Sequence, residues 1–133
     1  MVQRLDRLDS FYWIVPMNRQ RRLSAAVSID ARSGEYRQSF SLPEPLPNPF
    51  GFAQRSAVLE LIVDQLFDLP GSEGRLRVRE DALCVYPHYV WRPCLESLSP
   101  FCPFRMVTVG NHRLYIRIDG AVFTSLTLGL QGI

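Results

Sequence analysis

The last third of the chain contains three strand-forming stretches separated by short turn sequences. Residues 105–109, 112–118 and 121–128 are rich in apolar and β-branched residues, and Gly110-Asn111 and Asp119-Gly120 separate them. An Asp-Gly pair between two such stretches favours a two-residue type I′ turn, whose twist matches that of a hairpin. The pattern predicts a C-terminal three-stranded antiparallel meander in which residue 109 lies opposite 112 and residue 118 lies opposite 121.

This predicted register sorts the side chains of the meander into two faces, because side chains alternate along a strand. One face is almost entirely apolar and is expected to face the core. It comprises Val107, Val109, Leu114, Ile116, Ile118, Ala121 and Phe123. The opposite face mixes apolar, aromatic and basic residues, and we expect it to be open. It comprises Met106, Thr108, Arg113, Tyr115, Arg117, Val122, Thr124 and Leu126.

Helical signals are strongest in the middle of the chain. Asn48 is a good helix N-cap and Pro49 suits the first helical position, while Pro70-Gly71 would end a helix. Apolar residues recur between these signals at helical spacing, namely Val58, Leu61, Ile62, Leu66 and Leu69. The pattern predicts one main helix over 49–69. A shorter helix is predicted over 2–9.

The first half of the chain reads as β-structure. Residues 11–15 are aromatic and β-branched, and Pro16 is expected either to end that strand or to restrict it to a sheet edge. Residues 25–29 and 35–42 flank a turn-forming loop and predict a hairpin. Four prolines then fall on alternate positions and predict a rigid, extended connection to the main helix. They are Pro43, Pro45, Pro47 and Pro49.

Length and composition are typical of one folded domain. The chain has 133 residues, of which 47% are hydrophobic and 21% are charged. Together with the patterns above, this predicts a single domain over 1–133 of the α+β class. Its architecture would be an antiparallel sheet of about five or six strands with one main helix packed on one face, and the meander at the C-terminal end.

The basic side chains limit the chemistry of this protein. All 15 basic residues are arginine, so the chain offers no lysine for Schiff-base formation or for use as a general base. The net charge of +2 is too small for a general polyanion binder, and any anion site must be local. Since no nucleotide-binding or hydrolase motif is present either, we expect no cofactor and lean against an enzyme.

Three cysteines and a histidine form the pattern best suited to a structural metal. Cys84, His88, Cys94 and Cys102 supply the right number of ligands for a structural zinc ion, but their spacing matches none of the usual zinc motifs. A cysteine paired with a histidine would also be the basis of the least favoured function, an enzyme. We therefore predict no metal, and whether the four residues converge is left open.

The odd number of cysteines and the acidic residues close to the N-terminus favour a cytoplasmic protein, and no apolar run is long enough to span a membrane.

The mixed face of the meander is the predicted binding surface. Tyr115 is flanked by Arg113 and Arg117 along its strand, and the register places Met106 and Thr124 opposite it. Central aromatic residues ringed by arginine are typical of energetically important interface positions. The predicted function is a small protein-interaction or assembly module, such as an adaptor, inhibitor or accessory subunit of a bacterial system. Its partner would be another protein or a second copy of the chain, as a homodimer.

The alternative function is binding of nucleic acid or another polyanion. In Arg75, Arg77 and Arg79, alternation places three guanidinium groups on one side of a strand, roughly 7 Å apart. That spacing suits successive phosphates, although short strands with alternating arginine are also common as solvated edge strands.

Overall fold

The computed structural model describes residues 1–20, 22–47, 55–70, 74–97, 99–118 and 120–127. Within them the chain forms ten β-strands, one α-helix and a 3-10 turn at Glu80–Ala82. The strands are β1 (Val2–Arg4), β2 (Phe11–Arg19), β3 (Arg22–Asp30), β4 (Tyr36–Pro47), β5 (Leu66–Asp68), β6 (Arg75–Arg77), β7 (Leu83–Trp91), β8 (Phe104–Val109), β9 (His112–Arg117) and β10 (Val122–Phe123), and the helix is α1 (Arg55–Ile62).

Eight strands form one mixed sheet, so the predicted fold class is wrong. The strand order is β10-β9-β8-β7-β1-β2-β3-β4, and β5 and β6 form a separate two-stranded sheet. The difference arises at β1, where a helix was predicted. Val2 lies opposite Tyr12 of β2 in antiparallel pairing and opposite Tyr89 of β7 in parallel pairing. This short strand thereby joins the N-terminal and C-terminal strands into one sheet.

The main helix is much shorter than predicted. The helix α1 ends at Ile62, and Asp64 has a left-handed φ of 62° that turns the chain out of the helix. Leu66, predicted to lie in the helix, instead lies in β5, opposite Arg77 of β6. The predicted start at Asn48 and Pro49 lies outside the described residues. No helix in the described part of the chain is long and apolar enough to cross a membrane.

The predicted N-terminal hairpin is confirmed, with β3 and β4 pairing along most of their length. In the strand before it, Pro16 does not end β2, which continues to Arg19, but the predicted edge position holds locally. Pro16 is paired on one side only, with Ala26 of β3. Because β1 pairs with β2 only at Phe11 and Tyr12, the other side of β2 is a free edge at Pro16 and no ladder hydrogen bond is lost there. The edge strand β4 likewise tolerates the prolines of 43–47.

The C-terminal meander forms, but one of its two turns is longer than predicted. The β8–β9 register agrees with the prediction, with Val109 opposite His112 and Gly110 at a positive φ of 60°. In the next turn, the Arg117 N–H donates to the Ala121 carbonyl, so the register of β10 is shifted by one residue. Phe123 therefore lies opposite Tyr115. The prediction placed Phe123 on the core face and Val122 on the mixed face, and both placements are wrong.

Both faces of the C-terminal half of the sheet carry a hydrophobic core. On one face, α1 and the β5–β6 hairpin cover a cluster of buried residues: Val58, Ile62, Val78, Val107, Val109, Leu114 and Ile116. On the other face lies a second cluster: Val2, Tyr12, Val90, Trp91, Phe104 and Met106. A sheet covered on both sides has no purely solvated face, and this overturns the expectation of one packed and one open face.

The second core is covered by the connection between β7 and β8, which we call the crossing segment (residues 92–97 and 99–103). It contacts strands at both ends of the sheet. The Arg117 Nη1–H donates to the Glu96 carbonyl over 2.8 Å, and the Tyr12 hydroxyl donates to the Pro100 carbonyl over 2.7 Å. Farther along, the Phe101 ring packs edge-on against Phe40 of β4, with 4.8 Å between ring centroids.

Candidate functional sites

The predicted binding surface on the meander is partly buried under the second core. Met106 and Tyr115 lie opposite each other as predicted, but Met106 is only 8% exposed and Tyr115 is half-buried. Tyr115 packs against the buried Phe104 ring, at 6.3 Å between centroids. Thr124, predicted to lie opposite Tyr115, is half-buried just beyond β10, and Phe123 takes its place. The register shift in the second turn is the reason.

The two arginines of this surface differ in their surroundings. Arg113 is exposed. Arg117 is half-buried, donates to the crossing segment and lies over the Phe123 ring, with 5.4 Å from its guanidinium carbon to the ring centroid. Its position is therefore set by contacts within the chain. A role for these residues in partner binding stays a prediction.

The arginines of the polyanion-binding alternative are exposed on and beside β6. Arg75 is paired with Asp68 on the neighbouring strand, at 3.1 Å, and both side chains are largely exposed. Exposed pairs of this kind contribute little to stability. Arg77 and Arg79 carry the remaining charge, and the acidic Glu80 follows at once. This alternative also stays a prediction.

The cysteines and the histidine lie in different surroundings. Cys84 is exposed on β7, whereas Cys94 and Cys102 are half-buried in the crossing segment, and all three are free thiols. Burial raises the pKa of the Cys94 thiol, which keeps it protonated and poorly nucleophilic at neutral pH. His88 instead packs edge-on against Phe11, at 5.9 Å. Among the described residues, no group of three or more histidine, cysteine, aspartate or glutamate side chains is placed to hold a metal ion.

The structure presents an exposed apolar surface that was not predicted. Trp13, Val15 and Met17 alternate along β2 and are 47%, 42% and 53% exposed. Tyr36 of β4 lies in the same row as Trp13, because both are paired with Ile29 of β3, and it is 64% exposed. We call these four exposed side chains, with the β3 residues between them, the apolar face. The sequence did not indicate which of these side chains would be exposed, because residues 11–15 are all apolar or aromatic.

A cleft lies on the opposite side of the same strands. It has a volume of about 270 Å³ and opens between the β1–β2 connection, β3, β4 and the crossing segment. Its lining residues include three arginines, one carboxylate and several aromatic or small polar residues. They are Arg4, Arg7, Ser10, Phe11, Tyr12, Ser28, Asp30, Arg37, Gln38, Trp91 and Pro100. We call it the arginine cleft.

Two of these arginines are held by carboxylates. Arg4 donates to both oxygens of Asp6, over 2.9 and 2.7 Å, and its guanidinium carbon lies 5.0 Å from the centroid of the Trp91 ring. Arg37 donates to Asp30 over 2.8 Å. These hydrogen bonds lower the pKa of the Asp6 and Asp30 carboxyl groups. Both acids are therefore ionised at neutral pH and fix the two guanidinium groups in place.

The third arginine has no such restraint. Arg7 is exposed, and its side chain forms no hydrogen bond or ion pair with a described residue. The pKa of Asp6 is lowered mainly by the Arg4 hydrogen bond, and the charge of Arg7 makes a smaller contribution in the same direction. Arg7 therefore lies close enough to interact with the Arg4–Asp6 pair. Among the residues that line the arginine cleft, three are arginine and only one, Asp30, carries a carboxylate. No sequence pattern indicated this site, because Arg4 and Arg37 lie 33 positions apart.

Comparisons with known proteins supply no relative for this chain. No family model, no curated protein and no solved structure matches it.

Proposed function

We propose that this protein is an interaction module that self-associates through the apolar face. The observation that carries the proposal is the row of large, half-exposed apolar side chains on β2 and β4. A contiguous exposed patch of this kind is uncommon on soluble monomers and typically marks an interaction surface. Trp and Tyr are also the residue types most often found at energetically important interface positions.

The lack of charge over the central rows of this face favours a second copy of the chain as the partner. From the row of Trp13 to the row of Met17, the described ladder positions are apolar or hydroxyl-bearing: Trp13, Val15, Met17, Ala25, Val27, Ile29, Tyr36, Ser39 and Ser41. Charged residues follow only in the next row, where Arg19 lies opposite Arg22. In a two-fold symmetric dimer the same patch meets itself, and an uncharged patch can do so without burying an unpaired charge. Two sheet faces of this kind pack about 10 Å apart with interdigitating side chains.

Sedimentation velocity over a range of protein concentrations tests this proposal. We expect the wild-type chain to form a dimer as concentration rises, and Trp13→Arg to remain monomeric, because the substitution places a charge at the centre of the contact. The matched control is Leu8→Arg, which adds the same charge at an apolar side chain that is 93% exposed and outside the apolar face. This variant should dimerise like wild type.

Either of two results would refute self-association through this face. A wild-type chain that stays monomeric up to roughly millimolar concentration, a dissociation constant too weak for a specific interface, would exclude the dimer. A dimer that persists in a folded Trp13→Arg variant would place the contact elsewhere, and Tyr115 and Arg113 would then be the next residues to replace.

We also propose that the chain works in the reducing environment of the cytoplasm. The three free thiols support this location, because cysteines in oxidising compartments are usually paired in disulfides.

A further inference from the structure

We propose that the arginine cleft binds a small ligand carrying an oxyanion, either a phosphate or a carboxylate, on a flat apolar body. This site lies on the opposite side of β2–β4 from the apolar face. It does not depend on self-association, since it is built entirely from residues of one chain.

The charge of the cleft selects an anion. Guanidinium groups bind phosphate and carboxylate through parallel hydrogen bonds, and each group carries five N–H donors. In Arg4 two donor nitrogens are used by Asp6, and in Arg37 one is used by Asp30. Spare donors therefore remain on two arginines whose positions are already fixed. Arg7 adds a guanidinium group that has no hydrogen bond to a described residue.

The fixed carboxylates strengthen this argument. Asp30 accepts hydrogen bonds from the backbone N–H groups of Arg32 and Ser33, both over 2.9 Å, in addition to the one from Arg37. Its lone pairs are thus engaged with groups at the edge of the cleft. Asp6 is held in the same way by Arg4. An anion entering the cleft meets donors that are already oriented, which reduces the entropy lost on binding.

The walls of the cleft select the rest of the ligand. Tyr12, Trp91 and Pro100 contribute the apolar part of the lining, with Tyr12 and Trp91 7% and 8% exposed, and the Tyr12 hydroxyl is already used in its hydrogen bond to the Pro100 carbonyl. A volume of about 270 Å³ lies at the small end of the range for ligand pockets, which begins near ~300 Å³. The site suits one aromatic ring with its anionic group and is too small for a dinucleotide.

The two tryptophans of the chain allow a direct test by NMR. Trp91 lines the cleft, and its indole N–H donates to the Ser97 hydroxyl over 2.6 Å, whereas Trp13 lies on the opposite side of the sheet. Phenyl phosphate, benzoate and inorganic phosphate are titrated into ¹⁵N-labelled protein. We expect phenyl phosphate, benzoate or both to shift the Trp91 indole signal in a saturable way and to leave the Trp13 signal in place. The Trp13→Phe variant assigns the two signals.

The Arg7→Gln variant tests which charge holds the ligand. It removes a guanidinium group without removing a hydrogen bond to a described residue, so the fold should be unaffected. We expect its affinity for the ring-bearing anion to fall by about fivefold or more, as for loss of one charge-assisted contact. The matched control is Arg19→Gln, which removes an exposed arginine that does not line the cleft, and its affinity should equal that of wild type.

The outcomes separate the possible ligands and can refute the site. Saturable binding of phenyl phosphate alone identifies a phosphate ligand, and binding of benzoate alone identifies a carboxylate. Tighter binding of either compound than of inorganic phosphate supports the role of the apolar walls. The proposal is overturned if neither ring-bearing anion shifts the Trp91 signal saturably at concentrations up to ~10 mM, a dissociation constant weaker than any useful site. It is also overturned if Arg7→Gln binds as tightly as wild type.

Discussion

The substitution Met106→Ala distinguishes a sheet packed on both faces from the one-sided sheet that the sequence suggested. Met106 is 8% exposed and belongs to the buried cluster beneath the crossing segment. Truncating a buried methionine costs about 2 to 5 kcal/mol of unfolding free energy. Because the half-buried Tyr115 opposite can move toward the vacated space, we expect the lower part of that range, about 2 to 3 kcal/mol.

Equilibrium unfolding in urea, followed by tryptophan fluorescence, measures this loss. With a typical slope of about 1 to 3 kcal/mol per M, the midpoint should fall by roughly 0.7 to 3 M. Protein concentration must be held constant, since self-association would make stability depend on it. Arg113→Ala, an exposed substitution on the same face of the adjacent strand, should change stability by less than about 0.5 kcal/mol. A similarly small loss for Met106→Ala would mean that the face is open and that the two-sided packing is wrong.

Two further predictions concern the helix and the acid response. Ile62 is fully buried where α1 packs on the sheet, so Ile62→Ala should lower the unfolding free energy by about 2 to 5 kcal/mol in urea, whereas Glu60→Ala on the exposed side should have little effect. The Arg37 hydrogen bond lowers the pKa of Asp30, so its stabilising contribution is complete above the unfolded pKa of about 4 and declines as pH falls below that value. Urea unfolding from pH 7 to pH 3 should therefore show a steeper loss for wild type than for Asp30→Asn, and parallel curves would contradict the assignment.

Local signals in the sequence predicted some individual strands and turns better than they predicted where the helix ends and how the last strand is paired. The hairpin of β3 and β4 and the β8–β9 register follow from turn residues and alternation, which act over a few positions. The main helix was overestimated because Leu66 continues the helical spacing, yet it pairs with Arg77, 11 residues later. The composition of the predicted binding surface on the meander was changed by a single extra residue in the turn before β10. A one-residue shift moves every following side chain to the other face, so Phe123 replaced Thr124 beside Tyr115.

The sequence by itself determined the β3–β4 hairpin, the β8–β9 turn and the arginine-only chemistry, because the two turns depend on residues close together in the chain and the chemistry depends on composition alone. Only the tertiary structure decided how the strands combine. Val2–Arg4 lies between β7 and β2 and thereby joins eight strands into one sheet. The crossing segment covers the face of the meander that the sequence pattern showed as a mixture of apolar, aromatic and basic residues. The arginine cleft has the same origin. Arg4, Arg7 and Arg37 meet because strand pairing brings distant parts of the chain together, and no local pattern records such pairing.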